Sequence, residues 1–372
     1  MSPHLPSPPS ALPSARALLI AEAGVNHNGD LGLAFELIDA AADTGADLIK
    51  FQTFSARAMV SKSAALAQYQ EKSQTAGRTQ YDMLLELEFD RDAHLQLLQR
   101  CQEKDIGFLS TPFDLVSLDL LLNDLGQTRL KIGSGDLTNG PLLYQAARSG
   151  VDLILSTGMA SLAQIELSLG LVALACAGRG PDRPDREDML AAWADPALRS
   201  HLADRVMLLH CVSNYPASAG ATNLRSMATL ARAFGLPVGY SDHTLGGTAA
   251  IAAAALGACC IEKHLTLDCS LPGPDHAASS EPDALRAVFQ AVREAETMLG
   301  SPVKAMTPEE RSTAMAARKR LVAATDIAAG TEIAPEHLTT MRADAGGDPM
   351  AYWEVLGGRA DRDYRAGDAI DG

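Results

Sequence analysis

From residue 17 onward the chain repeats one unit: a short apolar, β-favouring run, a polar or Gly-rich end, then a stretch with helical periodicity. The runs are ALLIAEAG (17–24), ADLIKFQT (46–53), IGFLSTP (106–112), RLKIGSG (129–135), DLILSTG (152–158), RVMLLHC (205–211), PVGYSDH (237–243) and CCIEKHL (259–265). Helical patterns follow them, such as LGLAFELIDAAADTGA (31–46), RDAHLQLLQRCQEK (91–104), ATNLRSMATLARAFG (221–235) and EPDALRAVFQAVREAETMLG (281–300). Several end in glycine, at Gly45, Gly126, Gly150, Gly235 and Gly257, as left-handed C-terminal caps require. Eight β/α units predict a (β/α)8 TIM barrel rather than a doubly wound sheet. No early G-x-G-x-x-G opens the first helix, as a dinucleotide-binding half would need.

A barrel carries its activity at the C-terminal ends of its strands. Glu22, Lys50 with Gln52, Thr111, Lys131 with Ser134, Ser156, His210, His243 and His264 all fall there, while the N-terminal halves are mostly aliphatic. Period-two alternation puts Lys50 and Gln52 on one face, and likewise Ser241 with His243 and Glu262 with His264. A single charged strand end is usually just solvated; the same bias in eight strands calls for a shared cause. The seventh and eighth runs end in histidine among acids and are joined by the small-residue helix TLGGTAAIAAAALG. As parallel neighbours about 4.8 Å apart, they let His243 and His264 share one divalent metal, with Mn2+, Fe2+ and Zn2+ all compatible with such ligands. Glu262 can contact that metal or a substrate hydroxyl. Lys50 and Lys131 suit a phosphate or carboxylate, Thr111, Ser134 and Ser156 add hydrogen bonds, and Glu22 can orient a substrate or move a proton. The residues thus point to an anionic, phosphorylated small molecule beside a Lewis acid.

Composition narrows the alternatives. A formal charge of −15 argues against nucleic acid or an anionic membrane as the main partner. Six cysteines without a C-x-x-C pair, several in apolar runs, predict reduced core residues of a cytoplasmic protein. No apolar run reaches the eighteen or so residues that span a membrane. The Ser/Pro-rich residues 1–16 are expected to be a disordered tail and not a secretory signal. The barrel is expected over 17–300. Residues 54–90 are expected to cover the pocket with helices at Ser61–Gln74 and Thr79–Leu87, and 177–204 to be a surface insertion with an extra helix. A polar linker (301–318), with room for one helix, then leads to a small β-rich domain (319–372). There D-x-x-A-G-x-x-I occurs twice, from Asp326 to Ile333 and from Asp363 to Ile370. Each copy predicts a glycine turn followed by a short strand, in a thin core that leans on its own barrel or a partner subunit.

The strings IAEAGVNHNGDLGLAFELIDAAADTGADLIKFQTF, FLSTPFD, KIGSGDLTN, LSTGMAS, GYSDHT, IEKH and LPGPDH resemble the sialic acid synthase family over nearly the whole chain. LVAATDIAAGTEI and WEVLGG resemble that family's C-terminal antifreeze-like (SAF) domain. The resemblance implies condensation of phosphoenolpyruvate with N-acetylmannosamine or a related 2-acetamido hexose, giving a nine-carbon 2-keto acid and phosphate. It makes His243 and His264 ligands of a divalent metal, usually Mn2+, with Mg2+ or Co2+ as substitutes. Lys50, Lys131, Gln52, Thr111, Ser134 and Ser156 match positions around phosphoenolpyruvate, joined here by Ser241. Glu22, Tyr215, Glu262 and Asp275 match groups acting on the sugar or on the attacking water. It further implies a domain-swapped homodimer in which an arginine, here Arg342, reaches the partner's sugar. Two departures bear on the substrate. The family's Arg-Pro-Gly-x-Gly loop reads Arg342-Ala-Asp-Ala-Gly346, and Ser213 stands where N-acetylneuraminate synthases commonly carry Asn. They open the alternative of a diacetamido-trideoxy hexose and a legionaminic- or pseudaminic-type product. A non-catalytic carbohydrate-binding protein is the remaining alternative, disfavoured because such a barrel has no need of Glu22, Lys50, Lys131, His243 and His264 together.

Overall fold

A computed structural model describes residues 16–61, 79–178, 181 and 183–371. The tail expected over 1–16 lies outside these residues except for Arg16, and the helix expected at Ser61–Gln74 lies outside them except for Ser61. The chain forms two compact units, Met1–Gly300 and Ser301–Gly372.

The first unit is an eight-stranded parallel barrel of β1 (Leu18–Gly24), β2 (Leu48–Thr53), β3 (Gly107–Pro112), β4 (Arg129–Ile132), β5 (Asp152–Ser156), β6 (Val206–Cys211), β7 (Val238–Asp242) and β8 (Cys260–His264). The hydrogen-bonded order runs β3-β2-β1-β8-β7-β6-β5-β4, and β3 lies beside β4 at the closing seam. Each strand places alternate residues inside and outside. The outward set (Leu19, Ala21, Ile49, Phe51, Leu130, Leu153, Leu208, Tyr240 and Ile261 among it) joins the helices in the main core. The inward set forms a separate interior cluster of Ile20, Leu109, Ile154, Leu209 and Cys260. Gly239 belongs to that interior because a Cβ there would meet the Cys260 carbonyl at 2.6 Å and Leu209 at 2.7 Å.

Helix starts are built from local polar contacts. Asp30, Asp90, Asp114 and Ser161 each accept a backbone N–H in the first turn that follows. The insertion at 177–204 supplies helix Arg186–Ala194, which packs on helix Leu162–Cys176. The latter is apolar nearly all round and needs cover on its outer side. Gly170 permits the close approach, since a Cβ there would lie 2.1 Å from the Met189 carbonyl oxygen. Trp193 meets Phe234 edge to face at 5.6 Å. The insertion is therefore outer-layer packing.

In the second unit, β9 (Lys319–Ala323) and β10 (Leu338–Arg342) pair antiparallel. The runs after the repeated glycines make single bridges rather than the expected strands. The repeats instead clasp each other. Ile327 and Tyr364 exchange two backbone hydrogen bonds of 2.8 Å. Asp363 accepts the Ala329 N–H at 2.7 Å, and Asp326 accepts that of Ala366 at 2.9 Å. Gly330 and Gly367 sit at φ +81° and +92° in the two turns. The one helix that the linker had room for forms at Glu310–Ala317.

Candidate active site

Two residues above the apolar interior cluster, the same inward faces turn polar. Register fixes which groups meet: Glu22 lies opposite Lys50 of β2 and His264 of β8, Gln52 opposite Thr111, and Ser241 opposite both Cys211 and Glu262. Glu22, Lys50, Gln52, Thr111, Lys131, Ser134 and Ser156 line one pocket with Tyr215, Ser241, His243, Glu262, His264 and Asp275. Ser213 stands just behind it, its hydroxyl 3.0 Å from that of Ser134. Arg342 is an exposed residue at the end of β10 in the second unit. Some strand-end expectations shift. His210 points outward, where Nε2 meets the Thr222 carbonyl at 2.7 Å; alternation from Cys211 requires this. His243 and Ser134 lie just past their strands, because β7 ends at Asp242 and β4 at Ile132.

At the centre, two ammonium groups and two carboxylates are buried together. Lys131 donates to both oxygens of Glu262 at 2.8 and 3.0 Å, and the Ser241 hydroxyl donates to the same carboxylate at 2.7 Å. Lys50 pairs with Glu22 and lies 3.8 Å from Glu262. Burial alone would raise the Glu262 carboxyl, but Lys131, Lys50 and Ser241 overcome it and hold the group ionised, well below the usual carboxylate range. Glu22 has no such hydrogen-bond shell beyond its ion pair. Its burial outweighs the opposing Lys50 charge and, with Glu262 adding repulsion, raises it to about 7. Asp275 is likewise pushed up to about 6 by burial against the opposing Lys50.

Glu22 and Asp275 come together through the loops after β1 and β8. Asn26 donates to the Leu265 carbonyl at 2.8 Å and the Ser279 hydroxyl at 2.9 Å, and Asn28 donates to the Pro272 carbonyl at 2.9 Å. Gly24, at φ +53°, keeps the floor beneath them open: a Cβ would sit 3.1 Å from Glu22 Oε1 and 3.7 Å from Asp275 Oδ2. Gly273 lets the β8 loop approach, since a Cβ there would meet His276 at 2.5 Å and Asn28 at 2.8 Å.

His243 and His264 lie with ring centroids 5.5 Å apart. Burial lowers both, so both rings are neutral imidazoles. His243 Nδ1 lies 2.7 Å from the Val212 carbonyl, which only accepts, so the ring proton is there. Ser241, 3.2 Å from Nε2, directs its own proton to Glu262, which leaves the Nε2 lone pair without a donor. His264 Nδ1 is also buried without a partner. Two neutral imidazoles with undonated nitrogens fit a divalent cation. Among the described residues no third His, Cys, Asp or Glu gathers with them, so other positions would fall to substrate or water.

Two features escaped the sequence analysis. Asp242 and Lys263, on the outward faces of β7 and β8, form a buried ion pair of 2.9 Å. Lys263 also donates to the Thr244 carbonyl, and Asp242 accepts the Thr244 N–H and hydroxyl. They pin the turn that carries His243. The other is the apolar character of the expected cover: Val25, Met59, Met83, Leu84, Leu87 and Phe113 line the same pocket as the lysines. Its signal was the i, i+3, i+4 apolar spacing of the expected Thr79–Leu87 helix, which forms as Gln80–Leu87 behind a Thr79 capping box.

The NeuB family model matches residues 37–304. The chain belongs to the NeuB family. This NeuB-family chain is 41% identical to the N,N'-diacetyllegionaminic acid synthase of Legionella pneumophila, over 96% of its length and 94% of that protein's. It is 42% identical to the synthase of the same name from Campylobacter jejuni, over 95% and 99%. The crystal structure of the N-acetylneuraminic acid synthetase of Leptospira borgpetersenii superposes with a TM-score of 0.62 at 33% identity, covering 81% of this chain and 90% of that one. The barrel expected from the sequence is thus the family's barrel. The protein is an enzyme, a carbon–carbon bond-forming transferase of the phosphoenolpyruvate-dependent sugar-acid synthases. Among the described residues no helix is long and apolar enough to cross a membrane.

Proposed function

We propose that the enzyme condenses phosphoenolpyruvate with a diacetamido-trideoxy hexose and water, releasing phosphate and a nine-carbon legionaminic-type 2-keto acid. The observation that carries this choice is the 41–42% identity, across nearly the full chain, to two N,N'-diacetyllegionaminic acid synthases. It favours the alternative over N-acetylmannosamine, the acceptor placed first from sequence.

The pocket suits this chemistry. Glu262 is held ionised, whereas Glu22, raised to about 7, and Asp275, raised to about 6, readily take up protons, so Lys50 and Lys131 can present positive charge to the phosphate and carboxylate of the donor. Thr111, Ser134, Ser156, Gln52 and Ser241 offer hydrogen bonds around it. Held there, the donor's enol carbon bonds to the sugar's aldehyde carbon. The former aldehyde oxygen takes up a proton, water adds to the carbon bearing the phosphate as a carboxylate takes the water's proton, and phosphate leaves with its bridging oxygen while the added hydroxyl gives up its proton to become the keto oxygen. Glu22 or Asp275, once ionised, is placed to take the water's proton. Tyr215, 4.2 Å from the His243 ring, borders the acceptor. His243 and His264 would hold the divalent cation, for which we propose Mn2+ with Mg2+ or Co2+ as substitutes; when bound it supplies Lewis-acid polarisation of the aldehyde oxygen. From the family resemblance we also propose that residues 319–372 act as an antifreeze-like domain in a domain-swapped homodimer, with Arg342 reaching the sugar of the partner subunit.

Phosphate release from phosphoenolpyruvate with Mn2+ and a panel of unphosphorylated acetamido sugars tests the function; silence across the panel from folded protein refutes it. Mixing inactive Arg342→Ala and Lys131→Ala chains tests the swap. Partial recovery of activity is expected, and its absence means that Arg342 does not act in trans.

A further inference from the structure

The pocket that holds the two ammonium groups is also lined by side chains that no step of the condensation uses. Helix Gln80–Leu87 presents Gln80, Met83, Leu84 and Leu87 on one face, and all four line the pocket. Met83, Leu84 and Leu87 are buried and pack with Val25, Phe54 and Ala56 into a small core of their own. This makes the wall a shaped, supported surface. Among the described residues Gln80 is the one polar side chain the helix adds to the pocket.

The two acceptor sugars differ in a way such a wall detects. Relative to N-acetylmannosamine, a diacetamido-trideoxy hexose has one hydroxyl replaced by an acetamido group and one carbon without oxygen. It therefore offers methyl groups where the other sugar offers hydroxyls. A hydroxyl pressed on an apolar surface gives up its water hydrogen bonds without replacement, whereas a methyl gains from burial. We propose that the wall of Val25, Met59, Met83, Leu84 and Leu87, edged by Gln80, selects the less oxygenated, doubly acetamidated sugar. Gln80 supplies an amide for hydrogen bonds with the second acetamido group. The inference rests on the synthase function proposed above.

The test compares kcat/KM for the two sugars at saturating phosphoenolpyruvate in the native enzyme, Met83→Gln and the volume-conserving Leu84→Met. The native enzyme should favour the diacetamido sugar by about 10- to 100-fold, the range over which apolar pockets discriminate single groups. Met83→Gln should cut that ratio by about tenfold, through the KM of the sugar, leaving the KM of phosphoenolpyruvate within about twofold. Leu84→Met should preserve the ratio. An unchanged ratio in folded Met83→Gln overturns the wall's role while leaving the proposed function standing, whereas a native preference for N-acetylmannosamine overturns the proposed acceptor and the wall's role with it. Turnover of neither sugar overturns that function and the wall with it. Should Met83→Gln not fold, Gln80→Leu at the wall's less buried edge decides: a severalfold drop for the diacetamido sugar supports the inference, and no change in ratio overturns it.

Discussion

Along the same strands, two layers of one barrel interior have opposite characters. Ile20, Leu48, Leu109, Ile154, Leu209 and Cys260 fill the lower layer. Two residues on, Glu22, Lys50, Thr111, Ser156, Cys211 and Glu262 face the pocket above. The lower layer packs by shape alone and gains from each buried methylene. The upper buries charges whose desolvation ordinarily exceeds what their pairing returns. Stability and function are thereby separated by one step of the β repeat, and substitutions should separate them too.

The largest expected effect is in the upper layer. His264→Ala should lower activity by roughly a thousandfold or more, on the scale seen when electrophilic stabilisation is removed. Its melting temperature should hold, because the residue's Nδ1 is buried without a partner. Steady-state rates with Mn2+, read beside a melting curve, check both parts, and an undiminished rate would rule out the two-histidine site.

Leu209→Ala reverses the pattern. The side chain is fully buried in the lower layer, so the truncation should cost about 2–5 kcal/mol in a urea titration. Turnover at low temperature should stay within about threefold of native. A large drop in turnover with stability intact would show that the two layers are coupled after all.

The smallest effect sharpens the comparison through pH. Asp275 is raised to about 6 by burial, against about 3.9 in an unfolded chain. The folded state therefore holds this proton more tightly. The resulting stabilisation is fully present below about pH 3.9 and is lost as pH rises through about 6. Asn cannot ionise, so the melting temperature of Asp275→Asn relative to native should rise between pH 4 and pH 7.5, by a few degrees. Calorimetry showing a constant difference would mean that the carboxylate is not desolvated as the structure implies.

Much of this site was legible in the chain because β geometry is periodic. Once eight runs were counted, alternation put Lys50 with Gln52 and Glu262 with His264 on shared faces, and adjacency of the seventh and eighth strands brought the two histidines together. The same rule, taken from Cys211 instead of from the strand end, turns His210 outward. The repeated D-x-x-A-G-x-x-I was visible too, though not that each aspartate caps the other copy's turn.

What the sequence determined by itself was therefore the layered barrel and the inventory of its rim, since both follow from local spacing. Tertiary structure decided how the rim is divided. Lys131 and Ser241 take Glu262 and hold it charged, while Glu22, only two strand positions from the dry interior, is left to burial and is raised to about 7. It also decided that Asp275 comes over Glu22, through Asn26 and Asn28 bonding to segments more than 200 residues away. Those outcomes depend on which desolvated groups meet, and no local spacing encodes that.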